Sequence, residues 1–380
     1  MAKLGEIFKL QMGKTPARNN SAYWQSGKYK WVSIADLGSY KKYTENTKEK
    51  ITKLAVSDTG IKPVPANTVI MSFKLSLGKT AITKEDIFTN EAIMAFIPNG
   101  NFSIIPDYFY HLFSGMDWAK ETKRAVMGAT LNKETLSKIS IFVPPLEEQE
   151  KIAMVLDKVS ELIEKREQQL AKLDELIKSR FVEMFGDPVT NSLNMPLLSL
   201  QELGKFGRGV SKHRPRNAPE LLGGKYPLIQ TGEIANAGLY INSFENTYSE
   251  LGLKQSKIWQ AGTLCITIAA NIAKTAILTF DACFPDSVVG FTANKKSNNI
   301  FIHYWFSFFQ QILEAQAPES AQKNINLKIL SELKVITPPI EFQNQFAEFV
   351  EQTEKIKVAI NSSLDKLKTL KKALMQRFFG

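Results

Sequence analysis

A chain of 380 residues is long enough for two or three domains with real hydrophobic cores, and its 44% hydrophobic and 23% charged content is that of a soluble globular protein rather than a disordered one. Cys265 and Cys283 are the only cysteines, which excludes a disulfide framework and a thiolate metal cluster. Lys and Arg outnumber Asp and Glu by 48 to 38, and the net charge of +10 favours an acidic partner such as nucleic acid without specifying one.

In chain order, residues 1–143 form a first globular segment. The start, Met1 to Glu6, has no apolar signal core. Strand-like runs at 30–34 and 68–73 are separated by Gly, Pro and Asn turn clusters. A helical aromatic stretch covers 107–119, a polar connection 127–132, and a further apolar run 139–143. The mixture predicts an α+β domain.

Residues 144–186 read as one long helix. Pro144 and Pro145 can precede or open a helix but cannot sit inside one. Glu147, Glu148 and Glu150 place negative charge where the helix dipole favours it. Apolar residues then step by three and four through Ile152, Val155, Leu156, Val159, Leu162, Ile163, Leu170, Leu173, Leu176, Ile177, Phe181 and Met184. The pattern predicts a coiled-coil seam, interrupted at Arg166 and Gln169, on a helix spanning roughly 60 Å at 1.5 Å per residue. Gly186 followed by Asp187 and Pro188 supplies the stop.

The whole plan is then stated again. Residues 187–337 repeat the first segment: 4–8 answers to 200–204, and 31–37 to 228–234. Lys79-Thr80-Ala81-Ile82 answers to Lys274-Thr275-Ala276-Ile277 at an offset of 195, and Asn132 answers to Asn326 at 194. The run 264–280 carries Asn271 and Lys274 and reads as buried strands rather than a membrane span. Residues 338–380 repeat 144–186 without a gap, with 12 of 43 pairs identical. Their stripe runs through Phe346, Phe349, Val350, Ile356, Ile360, Leu364, Leu367, Leu370, Leu374 and Phe378, interrupted at Thr353 and Ser363.

Each stripe is too narrow to bury alone, so the natural partner of each helix is the other copy, packed antiparallel as a rigid spacer. Ile152, Leu156, Val159, Ile163, Leu170, Leu173 and Ile177 would meet Phe346, Val350, Ile360, Leu364, Leu367 and Leu374. The predicted architecture is α+β, with two pseudo-repeated globular domains joined by two long antiparallel helices.

This order of features resembles the specificity subunit of type I DNA restriction–modification systems. The resemblance rests on the Pro-Pro-Leu/Ile-Glu-x-Gln opening at 144–149 and 338–343 and on the Lys-Thr-Ala-Ile strand of each domain, and it covers essentially the whole chain. It implies two target recognition domains, 1–143 and 187–337, each reading one half of a gapped double-stranded DNA site. The helices 144–186 and 338–380 would be the spacer and the dock for two methyltransferase subunits, which methylate an adenine in each half-site. Restriction subunits would join that complex. The first domain begins almost at Met1 without a counterpart of 187–199, which fits the family's circular plan and implies no extra N-terminal docking segment. A cytoplasmic location, no membrane contact and no cofactor are expected.

The sequence offers no catalytic centre of its own. Gly13-Lys14-Thr15 and Gly78-Lys79-Thr80 look like the end of a phosphate-binding loop, but the glycine needed five positions earlier is Phe8 and Phe73 respectively. Phe206-Gly207-Arg208-Gly209 lacks the third glycine and preceding strand of a dinucleotide site. Val143 and Thr337 precede the two Pro-Pro pairs, where an adenine methyltransferase would need Asn or Asp. Asp107 with Glu121 and Lys123 mimics a nuclease pattern, but the intervening residues have helical spacing. His111, His213 and His303 are scattered and read as core or surface residues.

The DNA contacts are expected in two acid-free basic segments read as loops. Residues 205–216 hold Lys205, Arg208, Lys212, Arg214 and Arg216; residues 9–18 hold Lys9, Lys14 and Arg18. Lys74, Lys79 and Lys274 add charge at turns, and the shared Lys79/Lys274 position suits phosphate contact or packing better than base discrimination. Base readers belong in the loops that differ, where Asn19, Asn20, Gln25, Arg214, Arg216 and Asn217 stand. The rival readings are a coiled-coil interaction scaffold with incidental charge and the DNA-binding part of another modification enzyme.

Overall fold

In the computed structural model, which describes residues 1–74, 76–118, 120, 131–213, 215, 218–269, 271–316 and 326–380, each half of the chain is built on a sheet buried on both faces. The first half orders its strands Phe8–Met12, Ile93–Pro98, Val69–Ser72 and Thr80–Ile82 from edge to edge, each antiparallel to its neighbour. Successive side chains of a strand face opposite ways. Val69 and Met71 therefore join Phe96, Phe109 and Phe113 in one core, while Ile70 joins Val32, Ile87 and Ala95 in another. This explains the three successive apolar residues Val69, Ile70 and Met71: neither face of this central strand meets water. A smaller sheet of Glu49–Ile51, Tyr29–Val32 and Phe88–Thr89 stands on the second face.

The second half has the same arrangement with more strands. Its main sheet runs Gly204–Arg208, Val288–Ala293, Leu264–Thr267, Thr275–Leu278 and Tyr240–Ile241. Leu264 and Ile266 point to a core with Phe301 and Trp305, and Cys265 points the other way with Ala276 and Phe284. Local signals recur as well. Asn132 and Asn326 cap the short helices Lys133–Lys138 and Leu327–Glu332, accepting from the amides of Thr135 and Ile329.

Some boundaries differ from the sequence reading. Ile34, expected in a strand, opens the helix Ile34–Ser39, because Ser33 and Asp36 form a capping box at that point. The apolar run 139–143 contributes only the two-residue strand Ser140–Ile141. The aromatic helix is Pro106–Gly115; Ala119, Glu121, Lys123 and residues 127–130 lie outside the described residues.

The long helices are Leu146–Phe185 and Ile340–Phe379, of 40 residues each. The chain divides into two compact units, each taking half of both helices: Met1–Arg166 with Ser363–Gly380, and Glu167–Ser362. Within the second unit the helices run antiparallel, since Lys357 reaches Asp174 at 2.9 Å while Phe346 packs against Phe181 and Phe185. Within the first unit Ile152 and Leu156 share a core with Leu374, Phe378 and Phe379.

The stripe is thus not only a helix-to-helix seam, as its ends are walls of the domain cores. Ile152, Leu156, Val159, Ile177, Phe346, Val350 and Leu364 are buried, whereas Ile163, Leu170, Leu173, Ile360, Leu367 and Leu374 are partly covered. Val155, Leu162, Leu176, Ile356 and Leu370 are exposed, because an alternating step of three and four also generates positions on the flank of the stripe.

One buried side chain fixes where each long helix starts. Gln149 is 0% exposed; its Oε1 accepts from the Ile105 amide at 3.0 Å, and its Nε2 donates to the Ser103 carbonyl at 3.0 Å and the Pro144 carbonyl at 2.9 Å. Gln343, also 0% exposed, accepts from the Asn298 amide at 3.1 Å and donates to the carbonyls of Lys296 at 3.1 Å and Pro338 at 2.8 Å. The glutamine of the repeated motif is therefore a clamp between the helix start and the loop entering the neighbouring helix. Truncation leaves three buried backbone groups without partners, so Gln149→Ala and Gln343→Ala should each cost about 2–4 kcal/mol. Chemical denaturation checks the magnitude, and faster hydrogen exchange at the Ile105 or Asn298 amide locates it.

Candidate nucleic-acid interface

The basic segments begin as strands, not loops. Phe8–Met12 and Gly204–Arg208 are edge strands of their sheets, so Lys9, Lys205 and Arg208 stand on regular backbone. Each strand ends at a glycine with no room for a side chain. A Cβ on Gly13 would lie 2.1 Å from the Thr89 carbonyl oxygen, and one on Gly209 would lie 2.3 Å from that of Pro285. The amides of both glycines donate back into the sheet, Gly13 to Ile93 at 3.2 Å and Gly209 to Val288 at 2.8 Å. As sequences, 9–24 and 205–225 share almost nothing; the common glycine, shifted by one residue in the repeat offset, is the feature that sequence reasoning missed.

Beyond the glycine the two domains hold their basic segments by different means. In the first unit, Lys14 Nζ donates to the Thr59 carbonyl at 2.5 Å. The Arg18 guanidinium lies 4.1 Å from the ring centre of Trp24 and 4.8 Å from that of Trp31, and pairs with Glu49 at 2.5 Å. Its side chain remains 51% exposed, so the stack orients the cation without covering it. Gln11 Nε2 ties the edge strand to the Pro63 carbonyl at 2.9 Å. In the second unit Gln255 holds the segment beyond the edge strand, its Oε1 accepting from the amides of Lys212 at 2.7 Å and His213 at 3.1 Å. Arg208 Nε donates to the Asp286 carbonyl, and Lys257 sits 3.9 Å over the Trp259 ring.

Of the residues singled out from sequence, Lys205 and Arg208 stand on the edge strand of the second unit, facing opposite ways, with Lys212 just beyond it, and Lys14 and Arg18 follow the edge strand of the first. Lys74 is exposed beside Phe73, and Lys79 is exposed with its ammonium against Gly38. Lys274 is exposed on a different part of the second unit, beside the long-helix residue Lys178. Arg214, Arg216 and Asn217 lie outside the described residues. Lys257 and Gln255 were not anticipated, since a lone lysine and a lone glutamine carry no sequence signal.

The histidines differ from the sequence reading in one respect. His111 is buried, as a core residue should be, yet its Nε2 lies 2.7 Å from Asp157 Oδ1, a carboxylate supplied from 46 residues away. Lys42 bridges Asp157 and Asp107, each at 2.5 Å. Burial would raise the Asp157 carboxyl, but hydrogen bonds from His111 and Lys42 and the Lys42 charge hold it below the usual carboxylate range. Among the described residues no group of three or more His, Cys, Asp or Glu side chains is placed to hold a metal ion. Burial raises the thiols of Cys265 and Cys283. No helix among the described residues is long and apolar enough to cross a membrane.

The repeated sheet, the basic edge strand in each unit and the two long helices define a protein made of two copies of one α+β domain, each with its own long helix. The type I restriction modification DNA specificity domain matches residues 1–175 and again 197–371, and the chain belongs to that family. It is 27% identical over 273 residues to the MjaIX specificity subunit of Methanocaldococcus jannaschii, covering 67% of this chain and 62% of that one. With the EcoR124I/EcoR124II specificity subunit of Escherichia coli it shares 33% identity over 168 residues, 42% of this chain and 40% of that one. The matched stretches thus span less than two thirds of either relative. Among solved structures, the type I restriction–modification S subunit from M. genitalium superposes with a TM-score of 0.61 at 14% identity, covering 100% of this chain and 95% of that one. A chain from a study of type I assembly and conformational transition gives 0.61 at 17% identity, covering 100% and 96%. These two share the fold.

His303 gives a pH prediction for the second unit. Burial first, and then the Lys357 charge, push its pKa down to about 4, while its bond to Thr275 opposes the shift. The unfolded chain takes up the proton near pH 6.5 and the folded chain does not until about pH 4. Stability is therefore unaffected by this group above pH 6.5 and falls by up to about 3 kcal/mol as pH drops through that window. Denaturation between pH 7 and 4 should show a flatter slope for His303→Gln than for the parent protein.

Proposed function

We propose that this chain is the DNA-specificity subunit of a type I restriction–modification enzyme, binding a bipartite, gapped site on double-stranded DNA without catalysis of its own. The observation that carries the reading is the doubled specificity domain, each copy with an edge strand near its start that presents basic side chains to solvent, Lys9 in the first and Lys205 and Arg208 in the second. Residues 1–143 and 187–337 act as target recognition domains, and 144–186 and 338–380 as spacer helices. Lys14, Arg18, Lys74, Lys79, Lys205, Arg208, Lys212 and Lys274 contact phosphate, as do Arg214 and Arg216. Base discrimination belongs to the segments beyond Gly13 and Gly209, which differ between the domains.

Partner docking has support from the helices themselves. Met154 and Val155 on the first helix and Ile356 and Val358 on the second are exposed, more apolar surface than a solvated helix needs. In this reading two methyltransferase subunits cover these faces, restriction subunits join them, and the assembly works in the cytoplasm.

A base-resolved map of N6-methyladenine in the host genome, with and without this gene, tests the reading. A two-part gapped motif that vanishes on deletion is the expected result, and a specific gapped duplex should bind the assembled complex more tightly than random DNA at matched salt. Loss of no motif together with equal affinity for both duplexes would leave an interaction scaffold as the better account. Charge reversal at Arg208 or Lys212 should weaken binding to all sequences alike and lower the slope of log K against log salt by about one. Salt titration of the two variants measures this, and an unchanged slope removes that edge from the interface.

A further inference from the structure

A cleft of about 560 Å³ opens in the second unit, where the recognition domain meets its halves of both long helices. Lys178 of the first helix and Lys274, at the turn just before the strand Thr275–Leu278, line it, with Thr275, His303, Ser307 and Lys357. The charges here are not equivalent. Lys357 is mostly buried and is held by two carboxylates, Asp174 at 2.9 Å and Glu354 at 2.6 Å, so its cation is compensated. Lys178 and Lys274 are exposed at the cleft, and Asp174 is the carboxylate that shares its lining.

The internal repeat supplies a second, independent observation. Of the 43 aligned long-helix pairs only 12 are identical, and two of those are lysines: Lys172 with Lys366, and Lys178 with Lys372. Lys274 likewise answers to Lys79. Helix packing explains retained leucines and the retained glutamine, but packing of a lysine stem does not require its exposed charge. The two exposed lysines of the cleft are thus kept in both copies, whereas their surroundings are not: Lys357 answers to Ile163 and Asp174 to Lys368.

We propose that Lys178 and Lys274 form a phosphoryl-binding site in this cleft, separate from the basic edge at Lys205–Lys212. Two ammonium groups on different elements suit a phosphate or pyrophosphate group, which each binds as a point charge with rotatable donors. The volume accommodates a nucleotide-sized group. The same chemistry is offered by a DNA backbone and by a free nucleotide, and the two sources separate experimentally. The inference does not depend on recognition of a gapped site.

The test uses the full chain carrying Lys79→Ala and Lys372→Ala, so that only the second unit's pair is read, with inorganic pyrophosphate and ADP as probes in calorimetry at low salt. Saturable pyrophosphate binding is expected, weakened at least about tenfold by a further Lys178→Ala or Lys274→Ala change and within twofold of unchanged for Lys172→Ala. Circular dichroism confirms that the variants fold. Displacement of bound pyrophosphate by random duplex DNA would assign the site to backbone phosphate; retention, with ADP bound more tightly than pyrophosphate, would assign it to a nucleotide. Absence of saturable binding, or binding indifferent to both lysines, would overturn the proposal. Failure of gapped-site recognition would leave it standing.

Discussion

Everything else in each unit depends on how a long helix is rooted in its domain, and a buried amide does the rooting. Pro144 and Pro338 cannot donate hydrogen bonds, and the chain around them turns from strand to helix with its polar groups facing the core. Gln149 and Gln343 satisfy those groups with one acceptor and two donors apiece. A carboxylate could not donate and an apolar side chain could do neither, so glutamine is the residue that fits. A helix of 40 residues is also a long lever, and a small tilt at its base becomes a displacement of several ångströms at its far end. Rigid rooting therefore matters more here than in a short helix.

The doubly buried sheet has a further consequence. Because both of its faces are covered, the surface through which it meets solvent is its edge. An exposed edge strand is a hazard for unwanted pairing, and charged side chains are a common defence. Phe8–Met12 carries Lys9, and Gly204–Arg208 carries Lys205 and Arg208. The cations that guard the second edge are also assigned to phosphate in the proposed function, so one set of residues there meets both demands.

Legibility in the sequence depends on whether a feature answers to local backbone needs or to tertiary contact. The repeat is legible because the prolines and the terminal glycine of its first copy answer to local geometry: Gly186 has φ of 73° and no room for a Cβ beside Ser192 and Leu193. The clamp glutamine is legible as a repeated residue, but its partners at Ser103 and Ile105 are not. The Asp157–His111 contact is not legible, as nothing near either residue announces the other. Nor is the fate of the stripe, since periodicity places Leu156 and Val155 in one series while packing buries the first and leaves the second in water. The expectation of loops at 9–18 and 205–216 errs only for 9–12 and 205–208, where lysines and a glycine outweigh the apolar alternation that a half-covered edge strand hardly shows.

The glycines that end those edge strands explain how one frame can carry two different surface segments. Gly13 and Gly209 fix the exit point of the chain by backbone contacts that tolerate no side chain, so the residues beyond them can diverge without disturbing the sheet. The divergence reaches even the means of support. Arg18 is held over two tryptophans and beside Glu49, whereas Lys212 is held by its own amide on Gln255, leaving its ammonium in solvent. A stacked guanidinium presents a fixed planar donor face, and a lysine presents a mobile point charge. Under the proposed function, two domains built alike but reading different half-sites should differ in this respect, with identity kept at the exit glycine and chemistry varied just beyond it.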